Sequence, residues 1–301
     1  MIRKYRIIAL SILALASVML VRGQDATRHI WDTAFLSPKA DKATQGQAAH
    51  KPRYTVLTPR IPVQTVDPGA VVGVTVWRLH EYKKGDAGER LLVHGGSKPI
   101  EFAPKRVSAR TLFKRGDKVR VTVEAAREGY LYVVDRERYT HGKQGEPYLI
   151  FPAATIRGGE NHIVPGQIVE IPAQDDDPPY FNLRQSRPDQ MAEQLTILIS
   201  PTPIQDVQPG ENGQRLSPEQ CAQWEQHSHV DAGMAEIKAN VALDWSREEK
   251  NAGRDPAISL PPGAPPPQTL FYSTDANAQS PTIVKLVLNY APPVPPLRQS
   301  H

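Results

Sequence analysis

The chain has 301 residues, of which 40% are apolar and 23% are charged. These fractions are typical of a folded globular protein, so they exclude a wholly disordered chain. Proline is the exception, because its 29 residues are about twice the average share. Since proline interrupts helices and central strands, a long helical bundle is excluded as well.

Residues 1–23 have the organisation of a secretory signal peptide. Basic residues in the first six positions precede an apolar run over residues 7–21. As a helix this run spans only ~22 Å, less than the ~30 Å hydrocarbon core of a bilayer. The small residues that follow predict cleavage before Gln24, with retention as an N-terminal anchor as the alternative. We therefore expect an exported protein, periplasmic or extracellular, with no membrane association after cleavage.

Removal of the signal peptide changes the charge balance. Residues 1–23 contain four basic residues and no acidic one, so 32 of the 36 basic residues remain against 32 acidic residues. The formal net charge of the mature chain is then zero rather than +4. A nucleic acid or an anionic membrane loses its electrostatic support as a partner. We expect another envelope protein or a small ligand instead.

Cys221 is the only cysteine, so no intramolecular disulfide can form. In an oxidising compartment a lone thiol can pair between chains, or it can lie buried and inert. Both interpretations stay open. In either case the core or a partner must stabilise the exported chain.

Short strands separated by turn signals dominate residues 71–200. Residues 71–79 are rich in β-branched side chains, and Leu91–Val93 is predicted as their hairpin partner. Residues 118–124 alternate, which predicts that Val119 and its neighbours face a core while Arg120 and the other polar residues face water. Further strands are predicted at residues 130–134, 148–151, 167–171, 180–183 and 194–199. The spacing favours a mainly β fold: an antiparallel β-sandwich, immunoglobulin-like or a partly open barrel.

The flanking segments differ in composition. Residues 24–70 are typical of a flexible leader or linker. In residues 201–290, capping boxes at Ser217 and Ser246 predict a short helical insertion before two closing strands. Residues 241–245 fit either a strand or a loose helix. Residues 291–301 form a proline-rich tail.

Residues 116–200 resemble the bacterial domain of unknown function numbered 4384. The matching segments lie at residues 129–133, 149–152, 165–167, 171–172 and 195–197. The resemblance implies a small β-rich accessory domain, found in exported chains and also appended to caspase-like peptidases or protein kinases. It supplies no assigned catalytic residues. The chain also lacks a glycine-rich phosphate loop and a Cys–His pair in a recognisable peptidase context, so we name no catalytic residue and no cofactor.

Acidic residues supply the candidates for metal and hydrolytic chemistry. Asp175, Asp176 and Asp177 are the candidate metal ligands, because Ca²⁺ requires several oxygen ligands; a solvated acidic turn is the alternative. Paired carboxylates for hydrolysis could come from Asp135, Glu137, Asp175 and Asp176, but no spacing fixes their separation.

Aromatic and polar loop residues supply the candidates for partner binding. Most aromatic side chains of the mature chain lie between residues 130 and 181, where they either fill a core or anchor a partner. Tyr139 and Tyr180 are the candidate anchors. Arg187, in a polar loop between two strands, is the third candidate.

Three functions are compatible with the sequence. The first is a non-catalytic binding or scaffolding module of the bacterial cell envelope. The second is a calcium-dependent hydrolase that uses Asp175, Asp176 and Asp177. The third is a structural envelope component that self-associates through strand edges or its tails.

Overall fold

The computed structural model describes residues 71–94, 98–205, 207–211, 213–226, 233–236, 243–261, 264–272 and 280–292. The predicted signal peptide and leader, residues 293–301 of the predicted tail, and the undecided residues 241 and 242 lie outside the described residues. Within the described ranges, no helix has the length and apolar character needed to cross a membrane.

The described part of the chain folds mainly into strands. In chain order these are β1 (Val71–Glu81), β2 (Leu91–Val93), β3 (Ile100–Val107), β4 (Lys118–Ala125), β5 (Gly129–Tyr139), β6 (Tyr148–Phe151), β7 (His162–Ile163), β8 (Ile168–Ile171), β9 (Phe181–Asn182), β10 (Gln190–Ser200), β11 (Gln214–Arg215), helix α1 (Pro218–Gln226), β12 (Gly233–Glu236), helix α2 (Arg247–Arg254), β13 (Thr269–Tyr272) and β14 (Thr282–Asn289). The strands form two sheets, and their ladders are antiparallel. The first sheet contains β1–β4, β8, β9, β12 and β13, and the second contains β5–β7, β10, β11 and β14.

β1 is the central strand of the first sheet. One of its edges pairs with β4, from Val72 opposite Ala125 to Leu79 opposite Lys118. Its other edge pairs first with β13 and then with β3. A strand buried on both faces and paired on both edges favours β-branched residues, which explains the valine-rich sequence of β1.

The predicted hairpin between β1 and β2 is wrong. β2 is a strand, but it pairs with β3, which lies between β1 and β2. β3 is not predicted from the sequence because Pro104 interrupts its pattern of strand-forming residues. The sheet tolerates Pro104 because β2 pairs with β3 only up to Phe102, and the next bridge on that edge begins at Lys105.

The main core lies between the two sheets, so the prediction of a mainly β, antiparallel sandwich is confirmed. Val119, Val121 and Val123 face this core as expected. Apolar residues from the second sheet meet them, among them Leu131, Val133, Leu195, Ile197, Ile199, Val284, Leu286 and Leu288.

Both predicted capping boxes are present. Ser217 and Gln220 exchange hydrogen bonds at the start of α1, and Ser246 and Glu249 do so at the start of α2. Helix α1 packs over the outer face of the second sheet and buries Cys221 there. Burial raises the pKa of the Cys221 thiol, which favours the inert interpretation of this cysteine.

The outer face of the first sheet is buried, so the prediction that the polar residues of β4 face water is wrong. Arg120, Thr122 and Glu124 are all buried. In the register of the sheet, Trp77 lies opposite Arg120 on one side and Arg106 on the other. Alternation marks two faces of a strand, but it does not distinguish water from a second, polar layer.

Two buried ion pairs hold this polar layer. Arg120 Nη2 donates to Glu170 Oε2 at 2.7 Å, and Arg106 pairs with Glu249 of α2. Gln174 Nε2 donates to the same oxygen of Glu170 at 3.2 Å. The four charges of these two pairs therefore each have an opposite charge and a hydrogen bond, as burial requires.

Neutralising Glu170 tests the contribution of this layer. We expect Glu170→Gln to lower the free energy of unfolding by ~3 kcal/mol or more, because it leaves the Arg120 guanidinium buried without its counter-charge. The matched control is Asp175→Asn, which removes a carboxylate from an exposed pair with Arg254 and is expected to cost less than ~1 kcal/mol. Urea unfolding measures both, and equal losses would contradict the prediction.

Substitution of Gly253 in α2 tests how tightly this helix packs on the first sheet. A Cβ at Gly253 would lie 2.3 Å from Glu170 Cδ, and the ion pair holds that carboxylate in place. Glycine to alanine inside a helix ordinarily stabilises by ~0.5–1 kcal/mol. We expect Gly253→Ala to destabilise instead, whereas Asn251→Ala at an exposed position of the same helix follows the ordinary sign. Stabilisation by Gly253→Ala, measured by thermal unfolding, would show that α2 is packed loosely.

Candidate functional site

The inner face of the second sheet changes from apolar to acidic at one end. On β5, Asp135 and Glu137 share the face of Leu131 and Val133, because side chains two residues apart point to the same side. On β10, Glu193 lies directly opposite Glu137 in the register. We call Asp135, Glu137 and Glu193 the carboxylate cluster.

Hydrogen bonds satisfy only part of this cluster. Directly opposed like charges destabilise an antiparallel pair, so the side chains around them must compensate. Gln190 Nε2 donates to Glu193 Oε1 at 2.7 Å, and the Tyr290 hydroxyl donates to the same oxygen at 3.1 Å. The Tyr139 hydroxyl donates to Glu137 Oε2. Asp135 Oδ1 and Glu193 Oε2 are buried and have no hydrogen-bond partner among the described residues.

Asp135 and Glu193 line a pocket of about 160 Å³ at this end of the sandwich. Its walls are mostly apolar and comprise Val119, Ile150, Phe181, Leu183, Leu195 and Leu288. Asn182 and Arg184 complete the lining, and both are exposed. We call it the carboxylate pocket. An apolar pocket with a few converging polar groups is the usual form of a ligand site.

Burial shifts the acidity of the groups in this pocket. Burial raises the pKa of Asp135 to about 6, and repulsion from Glu137 adds to the effect. Burial also raises the pKa of Glu193 to about 8, with repulsion from Asp135 as the second cause. At neutral pH Glu193 therefore holds a proton while Asp135 is mostly ionised. Strongly shifted carboxyl groups in a pocket are typical of functional sites.

Two of the predicted partner-binding residues lie next to the cluster. The Arg187 guanidinium stacks on Tyr139, 4.4 Å from the ring centroid. Asp189 holds it through two hydrogen bonds of 2.9 and 2.7 Å. Tyr139 and Arg187 line a shallow groove of about 560 Å³, here called the Tyr139 groove. The other lining residues are Glu137, Gln144, Gly145, Glu146, Pro147, Tyr148, Arg215 and Pro218.

Tyr180, the third predicted partner-binding residue, lies elsewhere. It packs beside the outer face of the first sheet, with its ring centroid 5.7 Å from that of Phe102. Lys118 Nζ lies 5.3 Å from the Tyr180 ring. The structure therefore brings Tyr139 and Arg187 together but not Tyr180.

Asp175, Asp176 and Asp177 line a separate depression of about 370 Å³, together with Arg90, Leu91, Leu92, His94, Gln174, Lys250 and Arg254. Asp175 Oδ1 pairs with Arg254 at 2.9 Å, and Asp176 Oδ2 accepts a hydrogen bond from the Ala173 backbone N–H at 2.7 Å. Among the residues that the structure describes, no three His, Cys, Asp or Glu side chains are grouped to hold a metal ion. A metal role for the three aspartates stays a prediction.

Asp135 and Glu137 are candidate carboxylates in the sequence, but Glu193 and Tyr290 were not predicted as site residues. The two-residue period of β10 could have identified Glu193, since its side chain shares a face with the apolar residues Leu195 and Ile197. Tyr290 carries no such signal, because its position depends on how β14 pairs with β10.

The raised pKa values predict a pH-dependent stability. The folded pKa values of Asp135 and Glu193 exceed the model-peptide values of 3.8 and 4.5. The contribution of these two groups to the free energy of unfolding is fully present below pH 3.8 and 4.5, respectively. It is lost as the pH rises through about 6 for Asp135 and about 8 for Glu193. We expect the free energy of unfolding to fall over that interval. Glu193→Gln removes one of the two groups, so its profile is flatter and its stability in mildly alkaline buffer exceeds that of the wild type by ~1 kcal/mol after solvent screening.

Thermal unfolding across that pH range checks this prediction. The control is Glu146→Gln, because Glu146 is an exposed carboxylate that pairs with Arg215. It is expected to keep the wild-type profile. Parallel profiles for the wild type and Glu193→Gln would show that Glu193 is ionised in the folded protein at neutral pH.

Residues 112–203 match the sequence model of the family described as Domain of unknown function (DUF4384). Neither the curated proteins nor the solved structures compared with the chain gave a match. The matched residues include the carboxylate cluster, Tyr139 and Arg187, whereas Tyr290 lies beyond them. The resemblance over residues 116–200 is therefore confirmed: the chain carries a segment similar to DUF4384.

Proposed function

We propose that the chain is a non-catalytic binding module of the bacterial cell envelope. Its binding site is the end of the sandwich where the Tyr139 groove and the carboxylate pocket adjoin. The observation that carries the proposal is the fixed pair of Tyr139 and Arg187 at the groove. The predicted signal peptide supports the export part of the proposal, and the zero net charge of the chain without it disfavours a nucleic acid as the partner.

Arg187 is held ready for a partner, and the Tyr139 ring on which it stacks is buried. The Glu137 carboxylate fixes the Tyr139 hydroxyl, and Asp189 fixes the Arg187 guanidinium through both of its oxygens. Side chains ordered before binding lose little entropy on binding. Arginine and tyrosine are also the side chains that most often dominate interface energies. With 55% of its side chain exposed, Arg187 still offers donors to a partner.

The shape of the Tyr139 groove favours an extended protein segment as the partner. A site for a small ligand usually encloses most of the ligand, whereas this groove is shallow. Pro147 and Pro218 stiffen its sides, and Tyr148 exposes 40% of its surface there. Glu146 pairs with Arg215 along the groove. Aromatic, proline and paired polar groups together match the mixed composition of protein interfaces.

Substitution of Arg187 tests the proposed function. The full chain, expressed with residues 1–23 and purified as the cell processes it, serves as bait for the envelope fraction, and mass spectrometry identifies what it captures. We expect a stoichiometric protein partner whose affinity for the purified bait falls about tenfold with Arg187→Gln, because the groove loses its charged anchor.

The matched control is Arg254→Gln, since Arg254 is another exposed arginine paired with an aspartate, but in the depression of Asp175. It is expected to keep the partner. Equal affinities of the two variants would place the interface elsewhere. A partner identified as a second copy of this chain, with sedimentation showing a dimer, would select the self-associating component instead.

A further inference from the structure

Asp135 and Glu193 line the carboxylate pocket, and each has one buried oxygen without a donor among the described residues. This feature indicates the class of group that the pocket binds. We propose that the pocket takes an organic cation, a guanidinium or primary ammonium group on a short apolar chain. This inference deepens the proposed function, and it rests on that proposal for the role of this end of the sandwich as a binding site.

Hydrogen bonds are distributed unevenly over the two carboxyl groups. Gln190 and Tyr290 both donate to Oε1 of Glu193, which leaves Oε2 unpaired. Oδ1 of Asp135 is likewise buried, with no donor among the described residues. An unsatisfied buried acceptor costs free energy, and more so when it is charged. Two carboxyl groups that line one pocket and retain an unpaired oxygen each suit the several N–H donors of a guanidinium or ammonium group.

Negative charge exceeds positive charge around the pocket. Three carboxyl groups face it or border it, while the basic residue of its lining is the exposed Arg184. Arg187 already pairs with Asp189. Without a ligand, the proton on Glu193 reduces the repulsion between the carboxyl groups. A bound cation supplies the missing positive charge and releases that proton to the buffer.

The lining of the pocket favours an organic cation over a metal ion. Hard metal ions bind six to eight oxygen atoms, but the pocket offers two carboxyl groups among apolar walls. Within the described ranges, no three acidic, histidine or cysteine side chains are arranged so that they could hold a metal ion. The walls instead fit an apolar chain, and Phe181 provides an aromatic surface on which a cation is stabilised.

Isothermal titration calorimetry with N-butylguanidinium and its neutral analogue N-butylurea tests the inference on the full chain. We expect the guanidinium to bind at least about tenfold more tightly than the urea at neutral pH. Titrations in two buffers of different ionisation enthalpy should show proton release, and the affinity should rise as Glu193 ionises through its pKa of about 8.

Variants separate the pocket from general charge. Glu193→Gln should weaken guanidinium binding about tenfold and abolish the proton release, while Glu146→Gln at the Tyr139 groove should change neither. Asp135→Asn is the second pocket variant, should Glu193→Gln fail to fold. Arg184→Gln should strengthen binding because it removes a competing positive charge at the rim.

Several results would overturn the inference. These are equal affinities for the guanidinium and the urea, no heat with either probe at millimolar concentration, or an effect of Glu146→Gln as large as that of Glu193→Gln. A captured partner that depends on Arg187, together with no guanidinium binding, would overturn this inference and leave the proposed function standing. Guanidinium binding with no Arg187-dependent partner would support the pocket and count against the proposed protein-binding groove.

Discussion

The ion pair between Arg120 and Glu170 sets how the outer face of the first sheet can be covered. Both side chains are buried, so the layer above them must exclude water and still supply polar partners. Helix α2 meets both demands: its Lys250 carbonyl accepts from Gln174, which also donates to Glu170, and Gly253 leaves room for the Glu170 carboxylate. Residues late in the chain are thereby fixed to strands formed much earlier.

The two sheets treat buried charge in opposite ways. On the outer face of the first sheet, each buried arginine meets a carboxylate, and the layer has a structural role. On the inner face of the second sheet, Asp135, Glu137 and Glu193 meet one another, and neighbouring hydroxyl and amide groups satisfy only part of their oxygens. Each of the outer-face arginines has a carboxylate of opposite charge, although Glu170 Oε1 has no hydrogen-bond partner among the described residues either. The inner face differs because like charges lie opposite one another beside a pocket, and we propose that this combination serves a ligand.

The alternation of side chains along strands predicted more of the fold than of the site. It placed Val119, Val121 and Val123 on the core correctly, because the inner face needs only the two-residue period. It failed for Arg120, since a polar face looks the same in sequence whether water or a polar layer covers it. The site was harder still: the opposition of Glu193 and Glu137 depends on the register of β5 and β10, which no local pattern contains. Asp175, Asp176 and Asp177 attracted attention because adjacency is visible in sequence. The structure gives the first two partners of their own.

The carboxylate cluster conflicts with what stability alone would select. Its three members occupy the phase of their strands that elsewhere carries leucine, isoleucine and valine, and apolar residues there would extend the core without repulsion. Residues that are unfavourable at their position in the fold are expected where a function requires them, because most other residues of a sequence agree with its structure. Glu170 has an arginine of opposite charge and a structural role, although its Oε1 also has no hydrogen-bond partner among the described residues. Acceptors left unpaired beside an apolar pocket do not stabilise the folded chain by themselves, and ligand binding is the explanation that we propose for those of Asp135 and Glu193.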